Sequence, residues 1–247
     1  MRNGDRWIRR FGMGDEARVR LVCFPHAGGA AGYFHGLAAA VPSAVDVLGV
    51  QYPGRQDRLA ERPVDRVEEL AERIAERLLP WRDVPLVLFG HSMGALVASE
   101  VARRLDRDPA GLIVSGRPAP SSRPETVLPD RDDELLAHLE ELAGTDARLL
   151  ADPQMRQIIL SALRADYRAI DAYEHVPGPP AGYPISVMVG AADPAVTPAE
   201  AGGWLGHSSA PRALRVFSGG HFYLDAWPAP IVAAIVADIS SFIDFNP

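Results

Sequence analysis

Ser92 sits at the centre of Gly90-His91-Ser92-Met93-Gly94, a G-x-S-x-G pattern that directly follows the apolar run Leu86 to Phe89. Apolar residues at Leu96, Val97, Val101 and Leu105 come after it at helical spacing. Strand, sharp turn and helix make this weak five-residue pattern a nucleophile elbow, with the serine hydroxyl exposed above a sheet. Glycines two before and two after Ser92 remove Cβ atoms that would clash in so tight a turn. The expected chemistry is attack of the Ser92 hydroxyl on an acyl carbonyl.

Such a serine needs a base, an acid and a place for the oxyanion. Of seven histidines, His221 has the right position. It follows the apolar run Ala213–Phe217 through Ser218-Gly219-Gly220, and it comes last in the order Ser, acid, His. His91 flanks Ser92, but neighbouring side chains diverge at an elbow, and His26 lies near the site but out of order. His35, His138, His175 and His207 suit surface or lid positions. The acid follows by elimination. The run Gly111–Ser115 ends without a carboxylate, whereas Ile185–Val189 ends in Gly190-Ala191-Ala192-Asp193-Pro194, which points to Asp193. Asp166 and Asp171 fall in a helical stretch and suit solvated positions or pairing with Arg164 and Arg168. For the oxyanion, the Met93 N–H is one expected donor. The Ala27 N–H, in the small-residue loop Phe24-Pro25-His26-Ala27-Gly28-Gly29, is the other.

These residues require a scaffold that delivers strand ends to one place. Strand-like runs occur at Arg18–Phe24, Val45–Gln51, Pro85–Phe89, Gly111–Ser115, Ile185–Val189 and Ala213–Phe217. Helical patterns separate or follow them at about 64–79, 93–106, 197–205 and 229–244. Buried strands alternating with helices predict an α/β fold with a mostly parallel, doubly wound sheet. In such sheets, reactive groups collect at the carboxyl ends of the strands. The stretch between Ser115 and Ile185 is far longer than one crossover helix needs. It opens on a Pro- and Ser-rich loop, carries helical patterns after Asp130 and from Pro153 to Tyr173, and closes on Pro177-Gly178-Pro179-Pro180. It is expected to be a helical lid insertion, at about 118–182, within one domain spanning 1–247. A purely structural helical pair is the alternative.

The chain has 247 residues, 47% of them hydrophobic, enough for one large core. A net charge of −7, with a pI near 5.5, argues against nucleic acid as a partner. All basic residues are arginine. Cys23 stands alone, which excludes an internal disulfide and a thiolate metal cluster, and its strand-like setting suits a core hydrophobe. No apolar run reaches membrane-spanning length, and no apolar segment follows Arg9-Arg10 to make a signal. The expectation is a cytoplasmic monomer needing neither metal nor organic cofactor.

Five segments together resemble one family. They are Leu21-Val22-Cys23-Phe24-Pro25-His26-Ala27-Gly28-Gly29, Gln51-Tyr52-Pro53-Gly54-Arg55-Gln56-Asp57-Arg58, Phe89-Gly90-His91-Ser92-Met93-Gly94-Ala95-Leu96, Leu163-Arg164-Ala165-Asp166 and Gly219-Gly220-His221-Phe222-Tyr223-Leu224. From about Trp7 to the C-terminus the chain resembles type II thioesterases, stand-alone editing hydrolases of polyketide and non-ribosomal peptide synthesis. The resemblance implies an α/β-hydrolase fold, with Ser92 as nucleophile, Asp193 as acid, His221 as base, and Ala27 and Met93 as oxyanion donors. It implies acyl groups held as thioesters on the phosphopantetheine arm of an acyl or peptidyl carrier protein. Relatives often carry Asp before the final histidine, where this chain has Gly220. Docking to an acidic carrier would call for a local arginine patch, with Arg117 and Arg123 or Arg55 and Arg58 as sources. Internal ion pairs, such as Arg55 with Asp57, are the alternative. The rivals are a carboxylesterase or lipase acting on free esters, a product-releasing thioesterase, disfavoured because the chain opens at Met1 without a linker, and a non-catalytic binding protein of the same fold.

Overall fold

The structure is a computed structural model that describes residues 6–12, 17–122, 131–142 and 152–244. Its centre is a seven-stranded sheet in the order β1-β3-β2-β4-β5-β6-β7. The strands are β1 (Ile8–Arg10), β2 (Val19–Phe24), β3 (Val45–Val50), β4 (Leu86–His91), β5 (Gly111–Ser115), β6 (Ile185–Gly190) and β7 (Arg212–Phe217). All neighbouring pairs are parallel except β1 with β3, where Ile8 faces Val50 in antiparallel register. The six expected strands are all present. β1 is additional: three residues, two of them arginine, give no apolar period to recognise.

Strands β2 to β6 are buried at every position, because helices cover both faces of a parallel sheet. Alternation along each strand sends side chains to two cores. Val22, Phe24, Leu86 and Leu88 pack with Leu70, Ile74 and Leu78 of α2 (Val67–Leu78) and with Leu96, Val97 and Val101 of α3 (Met93–Ala102). On the opposite face Leu21, Cys23, Val87 and Phe89 meet Leu37 of α1 (His35–Ala40) and, from the last helix, Ile231, Ile235 and Ile239. That helix spans Ala229–Ile243 and, after the short α6 (Pro198–Ala201), is α7. β7 is an edge strand, with Leu214 and Val216 exposed.

The stretch between β5 and β6 contributes α4 (Asp132–Leu142) and α5 (Pro153–Asp171). Pro153 opens α5, and the Asp152 carboxylate accepts from the Gln154 and Met155 N–H groups at 2.8 and 2.9 Å. Leu135, Leu139, Leu160 and Leu163 are buried in the same core as α2 and α3. Their burial holds the two helices onto the body of the molecule. Asp130 and Arg123 lie outside the described residues.

After β2 the chain moves out to β3 and then crosses back to β4 on the other side of β2. The loops leaving β2 and β4 therefore diverge, opening a crevice at the carboxyl ends of adjacent strands.

Candidate active site

Ser92 lies at the tip of β4 with φ 54° and ψ −121°, a conformation that non-glycine residues avoid and that costs about 1–3 kcal/mol. The surroundings impose it. A Cβ on Gly90 would stand 2.2 Å from the Gly94 carbonyl oxygen, and one on Gly94 would stand 2.0 Å from the Phe24 oxygen. The Ser92 N–H donates to the Ser115 carbonyl at 2.8 Å, tying the elbow to β5. The side chain itself remains partly exposed.

Asp193 follows β6, where its Oδ1 accepts the Ala195 N–H at 2.8 Å. His221 follows β7, and its Nδ1 lies 3.0 and 2.9 Å from the two Asp193 carboxylate oxygens. Both side chains are buried. Their loops continue the pairing of β6 with β7 beyond the sheet: Ala191 N–H donates to Phe217 O at 2.7 Å and Ala192 N–H to Gly219 O at 2.9 Å. Gly190 is forced here, since a Cβ would meet the Gly220 oxygen at 2.3 Å.

The His221 ring reaches back to the elbow, its centroid 5.0 Å from that of His91, the residue before Ser92. His91 turns inward, with Nδ1 2.9 Å from the Ser115 hydroxyl, which in turn meets the Tyr223 hydroxyl at 2.7 Å. Burial and the nearby His221 hold His91 well below the usual imidazole pKa. His26 packs edge-on against Tyr33 and Phe222, and burial followed by His221 and Arg55 lowers it to about 3. Both rings are neutral at physiological pH. His35 is exposed, His138 lies against Tyr167, and His207 bonds the Ser121 hydroxyl at 2.8 Å beside His175.

The close approach of Gly94 to Phe24 and Pro25 brings the start of α3 against the loop that carries Ala27. Met93 is the first residue of α3, so no preceding turn supplies a carbonyl for its N–H. In the other loop, Gly28 N–H donates to Asp166 at 2.7 Å and Gly29 N–H to the His26 carbonyl at 2.9 Å.

Several expectations for charged residues are overturned. Asp166 is 0% exposed and pairs with Arg55 through two hydrogen bonds of 2.7 and 2.8 Å. Burial works against the Arg55 charge, but the Asp166 carboxylate more than offsets it and raises its pKa. Arg164 pairs instead with Asp132, and Asp57 with Arg9. Arg58 is buried over the Trp7 ring at 4.2 Å and bonded to Glu61 at 2.6 Å. Arg117 is half-buried, and burial pulls its guanidinium down to about 10, with Asp171 acting in the other direction. Arg55 and Arg58 are therefore interior, paired residues and supply no cationic docking patch. A charged residue cannot sit unpaired on an apolar stripe. Asp166 lies three residues from Leu163 and four from Ile170 on the buried face of α5, and that spacing is the signal that marks it as paired.

The sequence matches the thioesterase domain family over residues 19–241. The chain belongs to the thioesterase family. Thioesterase PikA5 of Streptomyces venezuelae is 46% identical over 228 residues, covering 90% of this chain and 81% of the relative. The type II thioesterase BorB, from the borrelidin biosynthetic cluster, superposes with a TM-score of 0.85 at 43% identity, covering 94% of this chain and 97% of that one. YbtT, a type II thioesterase from the yersiniabactin NRPS/PKS pathway, gives a TM-score of 0.82 at 28% identity, over 96% and 98% of the two chains. The α/β-hydrolase fold and the type II thioesterase resemblance are both borne out, and this chain is a thioester hydrolase. Among the described residues, no helix is long and apolar enough to cross a membrane.

Proposed function

We propose that this thioesterase hydrolyses acyl groups carried on the phosphopantetheine arm of an acyl or peptidyl carrier protein, clearing stalled units from a polyketide or non-ribosomal peptide synthase. Ser92, His221 and Asp193 form the catalytic triad. The observation that carries this reading is the buried His221–Asp193 contact at 2.9 Å, set beside a serine strained into an elbow.

His221 takes the Ser92 proton through Nε2 as the hydroxyl oxygen attacks the thioester carbonyl. Asp193 fixes the tautomer at Nδ1 and stabilises the imidazolium. Negative charge on the carbonyl oxygen is met by the Ala27 and Met93 N–H groups, each worth about 3–4 kcal/mol in the transition state. The C–S bond breaks, the pantetheine thiol leaves with the proton from His221, and an acyl-Ser92 ester remains. Water then attacks that ester, giving its proton to the same imidazole, which returns it to Ser92. From the insertion expected at about 118–182, helices α4 and α5 serve as a lid over the crevice, with α5 lying over the β2 loop. The chain works as a monomer.

Support comes from the likenesses to BorB, a type II thioesterase from a biosynthetic cluster, and YbtT, a type II thioesterase from an NRPS/PKS pathway. The test compares matched acyl-pantetheine thioesters and oxygen esters. A kcat/KM favouring thioesters, together with loss of turnover in Ser92→Ala, supports the proposal. Oxygen esters cleaved about tenfold better would make this a carboxylesterase, and unchanged hydrolysis in Ser92→Ala would remove the nucleophile.

A further inference from the structure

The loop that carries Ala27 is held by residues outside the triad. The Asp166 Oδ2 accepts the Gly28 N–H at 2.7 Å, and Arg55 Nη1, bonded to the same oxygen, also donates to the Gly29 carbonyl at 3.1 Å. The contacts fall on the first and third peptide units after Ala27. Gly28 holds φ +75°, and a Cβ there would lie 3.0 Å from Leu163 Cδ2, so α5 presses on the loop with an apolar and a charged side chain one turn apart. The flanks are tied as well. The Tyr52 hydroxyl donates to the Pro25 carbonyl at 3.4 Å, the Ala31 N–H donates to the Gln51 amide oxygen at 2.9 Å, and the Gln51 amide nitrogen donates to the Arg55 carbonyl at 3.2 Å. Three segments distant in sequence meet at one buried ion pair, and the backbone between them carries an oxyanion donor.

We propose that Arg55 and Asp166 are positioning residues that aim the Ala27 N–H at the oxyanion. Helix α5 thereby becomes part of the catalytic scaffold as well as a cover. This rests on the acyl-Ser92 reading given above. Oxyanion donors act only when held about 2.7–3.1 Å from the developing charge, and a displacement near 1 Å costs about 10²-fold in rate. Arg55 supplies a planar fork that matches the carboxylate, which a lysine cannot reproduce. The pair lies in the interior, so its geometry is fixed by packing and its loss is felt by the loop that it holds.

The test uses the full chain and two conservative variants, Asp166→Asn, which removes the charge at constant shape, and Arg55→Lys, which keeps the charge but loses the fork. Four quantities are read: kcat, KM, the pH profile, and the affinity of an alkyl boronic acid that forms a tetrahedral adduct on Ser92. We expect kcat to fall about 10²-fold with KM within about threefold. Boronate affinity should fall in parallel, while the inflection of the pH profile stays in place, because the triad side chains are unchanged. A kcat within about threefold of the parent, a fall in kcat with boronate affinity unchanged, or a displaced pH inflection would each overturn the proposal. If Asp166→Asn does not fold, Arg55→Lys decides by the same criteria. If the parent itself forms no boronate adduct on Ser92, the acyl-enzyme reading fails instead.

Discussion

At Ser92 the backbone stores strain so that one hydroxyl can stand clear of the sheet, and the glycines around it exist because neighbouring backbone fills their Cβ positions. Gly94→Ala would drive a methyl group to 2.0 Å from the Phe24 carbonyl oxygen. We expect a loss of about 3 kcal/mol, measured as a lower urea midpoint, and a fall in activity with it as the β2 loop moves. Asp193→Asn should leave the fold intact, keep KM near the parent value, and lower kcat about 10⁴-fold through the wrong His221 tautomer. Steady-state kinetics on a pantetheine thioester checks this, and a kcat within tenfold of the parent would place the acid elsewhere. The residues around the elbow are readable from the sequence because the chemistry demands particular types at fixed offsets. Asp193 and His221 are readable because each lies in the loop that follows a strand. The Arg55–Asp166 pair is harder to read, because its members lie far apart in the chain. Only the apolar stripe of α5 hints that Asp166 must be buried.

At the level of elements, the site depends on the pairing of β6 with β7 continuing into the loops beyond. Gly190→Ala would place a methyl 2.3 Å from the Gly220 oxygen, spreading the loops that hold Asp193 and His221. Because the clash lies at the last residue of β6, at the edge of the sheet, we expect kcat to fall about 10²-fold with a much smaller change in melting temperature. A variant that melts early while retaining kcat per folded molecule would contradict this. The five fully buried strands, β2 to β6, and most of the helices over them are legible as largely apolar runs and 3.6-residue periods. β1 is not, since an antiparallel edge strand of three residues offers no pattern. α1 is short and rich in alanine, with Leu37 alone buried, so it too carries no recognisable stripe. The arginines mislead for a related reason. Sequence shows their charge but not their depth, and Arg55 and Arg58 are interior.

For the whole molecule, buried histidines make stability depend on pH. His26, lowered from 6.5 to about 3, and His91, lowered well below 6.5, stay neutral in the fold while the unfolded chain protonates them. Below pH 6.5 the unfolded state therefore binds more protons, and stability falls as the pH drops from about 6.5 toward 3. Carboxylates titrate mainly at the lower end of this range. Urea midpoints should decline between pH 6.5 and 5, and His91→Asn, which keeps a neutral polar group near Ser115, should reduce that slope. A slope unchanged in His91→Asn would contradict the neutral assignment.

In the mechanism proposed, acyl groups pass from a carrier protein to Ser92 before water releases them. Intact-mass measurement of the enzyme, quenched within milliseconds of mixing with an acyl-carrier protein, tests it most directly. We expect a mass increase equal to the acyl group, mapping to the peptide that contains Ser92 and absent in Ser92→Ala. Hydrolysis that proceeds with no adduct on the parent enzyme, or an adduct that persists in Ser92→Ala, would contradict it.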